Sequence, residues 1–106
     1  DASIHINLDA VPVMDEAYKM YELGISTGVN KHNRAKVMPS IHFNDSAKTE
    51  KREILFDPQT SGGLLVSLPK DQAKEAIEQL HNTGLTDAKI IGEAQEPDSK
   101  IQIFVS

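Results

Sequence analysis

Alternating polar and apolar residues at the start of the chain predict a half-buried strand. Residues 3–8 place Ile4, Ile6 and Leu8 at every second position, and side chains with that period share one face of a strand. From Met14 the spacing changes, because apolar side chains recur three, four and seven positions later. That spacing is typical of an amphipathic helix.

The middle of the chain carries a weaker pattern. Gly24 follows the helical stretch as its expected terminator. Residues 24–33 are rich in glycine and asparagine, which favours a loop. Residues 34–43 have scattered apolar positions that indicate no regular element, and residues 44–53 are polar and expected to be exposed.

The second half returns to a clear order of strand, helix, strand and strand. The apolar run at residues 64–68 predicts a buried strand, and residues 88–93 and 100–105 predict two more. The helix between them, which Gly84 is expected to end, has one apolar face made of Ala73, Ala76, Ile77 and Leu80. Helices that alternate with strands predict an α/β (α+β) fold, a mixed β-sheet with packed helices that is partly ferredoxin-like.

Composition narrows the possible chemistry. The chain of 106 residues is long enough for one domain. Because it has no cysteine, disulfides, thiolate metal sites and cysteine nucleophiles are excluded within it, and a cytoplasmic origin is expected. The net charge of −5 argues against a nucleic-acid partner. No apolar run reaches the length of a membrane span, so no membrane partner is predicted.

Histidine spacing gives no metal site. The four histidines include no pair at the helical i, i+4 spacing of zinc ligands, and no cysteine assists them. His5 alternates with two isoleucines and is expected to face solvent or a covering domain. The charge run at residues 48–53 is most simply a solvated loop.

The most unusual segment reads Asp57-Pro58-Gln59-Thr60-Ser61-Gly62-Gly63. We call residues 57–63 the diglycine loop. Its aspartate can accept hydrogen bonds from backbone amides two residues on, and its glycines permit positive φ and close backbone approach. Two interpretations remain open from the residues alone. The loop cradles a phosphate or a partner loop, or it is a turn before a strand whose side chains satisfy their own backbone. It is not a P-loop, because a strand is predicted to follow it and no Gly-x-x-x-x-Gly-Lys pattern occurs.

Extended by two leucines, this segment resembles the signature of the selenophosphate synthetases (selenide, water dikinases). These enzymes belong to the aminoimidazole-ribonucleotide-synthetase-related superfamily. Residues 8–12 and 90–93 also resemble the family's flanking elements. The resemblance covers nearly the whole chain, so residues 1–106 are expected to be a C-terminal domain fragment of an ATP-dependent synthetase.

The resemblance implies a reaction and a division of labour. Enzymes of this family make selenophosphate, AMP and phosphate from ATP, selenide and water, and magnesium neutralises the triphosphate. Their N-terminal domain holds the catalytic residues and most of the ATP and Mg site, so no catalytic or metal residue is expected here. The isolated chain is expected to be inactive, and the full-length enzyme to be a homodimer. The residues expected at the ATP site or the interdomain surface are Asp57, Gln59, Thr60, Ser61, Gly62 and Gly63.

One loop departs from the family's pattern. The family has Pro-Gly-Gly-Thr-x-Arg-Asn after the first helix, and residues 27–33 align with it. Gly28 and Asn33 are kept and form a secondary loop candidate. Val29, Asn30 and His32 depart from the pattern. Positive φ is energetically unfavourable for valine, so Val29 does not substitute freely for the family's second glycine. A ligand role for this loop is therefore in question.

Two alternatives remain open, and only the second differs in class from this interpretation. The chain is part of another ATP-using member of the same superfamily, or it is a non-catalytic ferredoxin-like module that binds a small ligand. The module requires a self-contained pocket, whereas a domain fragment leaves apolar surface and strand edges uncovered. Self-association of the isolated domain is therefore expected.

Overall fold

The computed structural model describes residues 2–97 and 101–106. Its sheet has four strands: β1 (Ser3–Ile6), β2 (Ile41–Phe43), β3 (Gly92–Gln95) and β4 (Ile103–Val105). The strand order is β2-β4-β1-β3. β4 runs parallel to both β1 and β2, whereas β3 runs antiparallel to β1. The predicted mixed sheet is confirmed.

Helices make up most of the remaining regular structure. The α-helices are α1 (Asp15–Glu22), α2 (Asn30–Val37), α3 (Thr49–Arg52) and α4 (Ala73–Asn82). Three short 3₁₀ helices lie at Leu8–Ala10, Met38–Ser40 and Glu53–Phe56. α1 packs against α3 and against the 3₁₀ helix Glu53–Phe56, and α2 packs against that same 3₁₀ helix. The predicted combination of a mixed sheet and packed helices is confirmed.

The core lies on one face of the sheet. Its buried side chains are Leu8, Ile41, Ala47 and Val105, and the partly buried side chains against them are Ile6, Phe43, Leu55 and Ile103. Leu8 is inward as predicted, but it lies in the 3₁₀ helix after β1 and not in the strand. Ile4 was also predicted to be inward and is 42% exposed. Its neighbour in β3 is the small Ala94, and every residue of β3 is exposed.

The sequence pattern predicts the first helix, α1, but not the second, α2. α1 agrees with its apolar spacing, and Gly24 follows it with φ +75°, as expected of a helix terminator. The prediction of a loop over residues 24–33 is wrong at its end, because α2 begins at Asn30. Val29 has φ −89°, so it carries no positive-φ strain.

The strand predicted at residues 64–68 is wrong. Residues 63–69 have no regular secondary structure, and no backbone amide from 63 to 68 donates a hydrogen bond to any described residue. Leu64 is 95% exposed and Leu65 is 79% exposed. An apolar run indicates burial, but it does not indicate which strand the segment pairs with. In this sheet both positions beside β1 are occupied, by β3 and β4.

The end of the chain follows the predicted order with shifted boundaries. α4 is confirmed, and Gly84 ends it with φ +93°. β3 lies at Gly92–Gln95, later than the predicted 88–93, and β4 covers the last part of the predicted 100–105. Lys100 lies outside the described residues. The shift of β3 places Gly92 opposite Ile6, where the backbones approach closely.

Candidate functional site

Asp57 fixes the start of the diglycine loop through both carboxylate oxygens. The hydroxyl of Tyr21 donates to Oδ1 at 2.6 Å, and Nε2 of Gln59 donates to Oδ2 at 2.8 Å. The expected hydrogen bonds from backbone amides two residues on are replaced by the side-chain amide of Gln59. Asp57 therefore joins α1 to the loop.

The two glycines of the loop play different structural roles. A Cβ on Gly62 would lie 2.2 Å from Oε1 and 3.1 Å from Cβ of Gln59, and the amide of Gly62 donates to the Gln59 carbonyl at 3.2 Å. A Cβ on Gly63 would meet nothing within 4 Å. Close approach is therefore found at Gly62 only. Neither glycine uses its freedom to adopt positive φ, because the positive φ values among described residues belong to Gly24 and Gly84.

The outer part of the loop is exposed and offers free hydrogen-bond donors. Thr60, Ser61, Gly62 and Gly63 are all exposed. Neither hydroxyl makes a hydrogen bond within residues 2–97 and 101–106, and the amides of Thr60, Ser61 and Gly63 donate none there. The loop thus presents hydroxyl and N–H groups to its surroundings.

The secondary loop candidate divides in the structure. Nδ2 of Asn33 donates to the carbonyl of Phe56 at 2.8 Å, which places Asn33 directly against the start of the diglycine loop. Gly28 is exposed, and a Cβ there would meet nothing within 4 Å. Only Asn33 of the pair is therefore brought to the diglycine loop.

Asn30, identified from the sequence only as a departure, is central to the arrangement. It is 1% exposed, and its Nδ2 donates to Tyr21 Oη at 3.1 Å and to the Glu53 carbonyl at 3.2 Å. Its Oδ1 accepts a hydrogen bond from the hydroxyl of Thr27. The available signal was its spacing of three residues from Asn33, since such residues share a helix face.

Tyr21 is the other residue that sequence reasoning missed. Its place on the apolar stripe of α1 indicated a packing role only, although a tyrosine hydroxyl that is removed from water needs a partner. Burial raises the pKa of Tyr21, and the hydrogen bond to Asp57 raises it further, while the Asn30 amide acts in the opposite direction. The hydroxyl therefore keeps its proton and donates to Asp57 at neutral pH.

An ion pair holds the helix that precedes the loop. Arg34 of α2 pairs with Glu53, and its guanidinium carbon lies 5.3 Å from the centroid of the Phe56 ring. Phe56 is 3% exposed and contacts Phe43 of β2 edge to face, with 6.2 Å between ring centroids. The start of the loop is thus anchored to α2 and to the sheet.

Other candidate chemistry lies apart from this site. His5 lies on the sheet face opposite the core and stacks on Phe104, with ring centroids 4.8 Å apart. Within the described residues, no three histidine, cysteine or acidic side chains are placed to share a metal ion. A search of the same residues for a helix long and apolar enough to span a membrane finds none.

Comparison with known families identifies the domain. A family profile described as "AIR synthase related protein, C-terminal domain" matches residues 1–104. The chain belongs to this family. As a member of the AIR synthase related C-terminal domains, it has the mixed sheet and packed helices described above.

Three curated relatives that cover most of this chain have the same name. A "Selenide, water dikinase" of Rhizobium meliloti (strain 1021) is 33% identical over 102 residues, covering 96% of this chain and 29% of the relative. One from Porphyromonas gingivalis (strain ATCC 33277) is 33% identical over 107 residues, covering 100% of the chain and 30% of the relative. One from Clostridioides difficile (strain 630) is 34% identical over 92 residues, covering 87% of the chain and 26% of the relative. The resemblance seen in the diglycine loop is confirmed, and the chain spans less than a third of these relatives' length.

The diglycine loop fits part of a nucleotide site but not a metal ligand set. The free hydroxyls of Thr60 and Ser61, with the free amide of Gly63, are donors that suit phosphate oxygens. Asp57 is the one acidic side chain of residues 57–63, and within the described residues no three acidic or histidine side chains are placed to share a metal ion. The loop therefore suits contact with phosphate or with a partner surface.

Proposed function

We propose that this chain is the C-terminal domain of a selenide, water dikinase. Such an enzyme makes selenophosphate, AMP and phosphate from ATP, selenide and water. The observation that carries the proposal is the identity of about one third with relatives of that name over nearly all of this chain. The alternative of a small-ligand module lacks a comparable observation.

In this reaction the chain contacts the N-terminal domain and helps to enclose the ATP site. It does not supply the groups that perform the chemical step. We place Thr60, Ser61, Gly62 and Gly63 at the ATP site or at the surface facing the N-terminal domain, because all four residues are exposed. The hydroxyls of Thr60 and Ser61 and the amide of Gly63 also have no hydrogen-bond partner among the described residues. Asp57 and Gln59 set the conformation from which those donors project. Magnesium, when bound with ATP, neutralises the triphosphate. The N-terminal domain supplies most of that site and the catalytic groups.

Three further statements belong to the same proposal. The isolated domain is expected to be inactive, because the family resemblance implies that the catalytic groups lie in the N-terminal domain, and this chain covers only 29% of the Rhizobium meliloti relative. The full-length enzyme is a homodimer, and it works in the cytoplasm. Each follows from the family resemblance.

The proposal predicts a selenide-dependent reaction. The full-length product of the gene, supplied with ATP, Mg²⁺ and selenide under anaerobic conditions, is expected to release AMP and orthophosphate in equal amounts. Chromatography of the nucleotides and phosphorus NMR of the selenophosphate product measure this directly. ATP consumption that does not change when selenide is omitted, or that yields ADP as the end product, contradicts the proposal.

A further inference from the structure

Side chains from α1 and α2 form hydrogen bonds with the residues that lead into the diglycine loop. Nδ2 of Asn30 donates to the carbonyl of Glu53, and Nδ2 of Asn33 donates to the carbonyl of Phe56. The hydroxyl of Tyr21 donates to Asp57 itself. These bonds connect residues 23 to 36 positions apart in the sequence. We call Tyr21, Asn30 and Asn33 the anchor residues.

The anchor is built so that Asn30 has one orientation. Both hydrogens of its amide are used, on Tyr21 Oη and on the Glu53 carbonyl, and its oxygen accepts from Thr27. The side chain is 1% exposed, so water does not compete for these bonds. A fully satisfied buried amide is costly to rotate or displace, because each broken bond leaves a buried polar group unpaired. Asn30 therefore holds the Tyr21 hydroxyl where Asp57 meets it.

The far end of the loop has no equivalent hold. No backbone amide or carbonyl of residues 63–68 takes part in a hydrogen bond with the described chain. Inside the loop, Gln59 is hydrogen-bonded both to Asp57 and to the amide of Gly62, so the position of Asp57 also determines the position of the glycines. The conformation of the diglycine loop is thus set from its first residue.

We propose that Tyr21, Asn30 and Asn33 are positioning residues that hold the diglycine loop in its working conformation by acting through Asp57 and the backbone just before it. This rests on the proposed function, since the loop works only if it meets ATP or the N-terminal domain. None of the anchor side chains bonds to Thr60, Ser61, Gly62 or Gly63. Their effect on the reaction is therefore indirect, through the geometry of the loop.

Tyr21→Phe in the full-length protein is the main test, because it removes the hydroxyl and keeps the ring. Tyr18→Phe is the matched control: Tyr18 lies on the same helix, and its hydroxyl has no hydrogen bond within the described chain. Hydrogen exchange of the hydrogen-bonded amides of Asp57 and Gly62 is expected to speed up about three- to tenfold in Tyr21→Phe, the effect of one lost hydrogen bond. The control is expected to match the wild type. Unchanged exchange in Tyr21→Phe overturns the inference, whatever the protein catalyses.

Turnover supplies the second readout. We expect Tyr21→Phe to raise the KM for ATP about three- to tenfold and to change kcat less. Combining it with Asp57→Ala is expected to add little to Asp57→Ala alone, because both remove the same connection. Asp57→Asn, which keeps an oxygen for the Tyr21 hydroxyl, is expected to recover most of the wild-type KM. Fully additive effects overturn the inference, because they place Tyr21 outside the Asp57 connection.

Asn33→Ala guards against a folding defect in the tyrosine variant. It removes the bond to the Phe56 carbonyl and leaves Tyr21 and Asp57 untouched. Faster exchange of the Asp57 and Gly62 amides with an unchanged unfolding midpoint supports the anchor, and unchanged exchange overturns the part assigned to Asn33. A wild-type protein without selenide-dependent turnover counts against the proposed function alone, since the exchange measurement needs no catalysis.

Discussion

At the residue scale, the hydroxyl of Tyr21 connects a helix surface to the diglycine loop. It donates to Asp57 and accepts from Asn30, so it is both donor and acceptor in one network. Burial first and the Asp57 carboxylate second raise the pKa of Tyr21. A group whose pKa is raised in the folded state adds stability below its unfolded pKa and loses it as the pH rises through the folded value. The network is therefore expected to hold at neutral pH and to weaken above about pH 10.

A tyrosine titration tests this network. The chain has two tyrosines, so Tyr18→Phe leaves Tyr21 as the single phenol. Its absorbance change is expected to have a midpoint above the ordinary value of about 10. Asp57→Asn in the same background removes the negative charge and is expected to lower the midpoint. A midpoint that Asp57→Asn leaves in place argues against the contact.

The glycine pair allows a matched comparison. Gly62→Ala places a methyl group against the side chain of Gln59 and is expected to break the contact of Gln59 with Asp57. Gly63→Ala meets open space, and neither position needs positive φ. The side-chain amide signals of Gln59 in an NMR spectrum are expected to shift in Gly62→Ala and to stay in Gly63→Ala. Equal shifts in both variants contradict the different roles of the two glycines.

The sequence indicated where this site lies, but not which contacts hold it in place. The diglycine loop was found because its residue types are rare together, and the need for close approach at Gly62 agrees with the structure. The bond from Tyr21 to Asp57 spans 36 positions, which no local pattern encodes. Asn30 was missed because the sequence does not distinguish a buried, fully hydrogen-bonded asparagine from an exposed one.

At the element scale, Gly92 controls the pairing of β1 with β3. A Cβ there would lie 2.0 Å from the carbonyl oxygen of His5 and 3.1 Å from Cα of Ile6, and backbone atoms of a paired strand do not move aside. Gly92→Ala is expected to lower the free energy of unfolding by about 1–3 kcal/mol, the usual cost of overpacking. Gly28→Ala, which meets no atom within 4 Å, is the control and is expected to change it little. Urea unfolding measures both, and equal midpoints contradict the close pairing.

Elements with a local apolar stripe were predictable, and the others were not. α1 and α4 each show an apolar stripe at helical spacing, so their existence and their glycine terminators agree with the sequence. α2 is almost entirely polar, and its first four residues fall within the predicted loop. The strand predicted at residues 64–68 failed for another reason, because pairing depends on a partner edge elsewhere in the chain.

At the scale of the whole molecule, the described chain leaves its most apolar run uncovered. Leu64 is 95% exposed directly after the diglycine loop, beside backbone groups that have no hydrogen-bond partner in residues 2–97 and 101–106. An exposed apolar run of this kind marks an interaction surface. The relatives are more than three times as long as this chain, so the proposed function assigns that surface to contact with the rest of the enzyme. Self-association of the isolated chain stays a prediction of the same kind.

Hydrogen exchange at residues 63–68 tests the central claim that the diglycine loop and the run after it meet the remainder of the enzyme. These amides have no partner in the described chain and are expected to exchange at nearly unprotected rates when the chain is alone. In the full-length protein with ATP and Mg²⁺ they are expected to slow by at least about a hundredfold, as paired backbone groups do. Equal rates in the two proteins contradict the account.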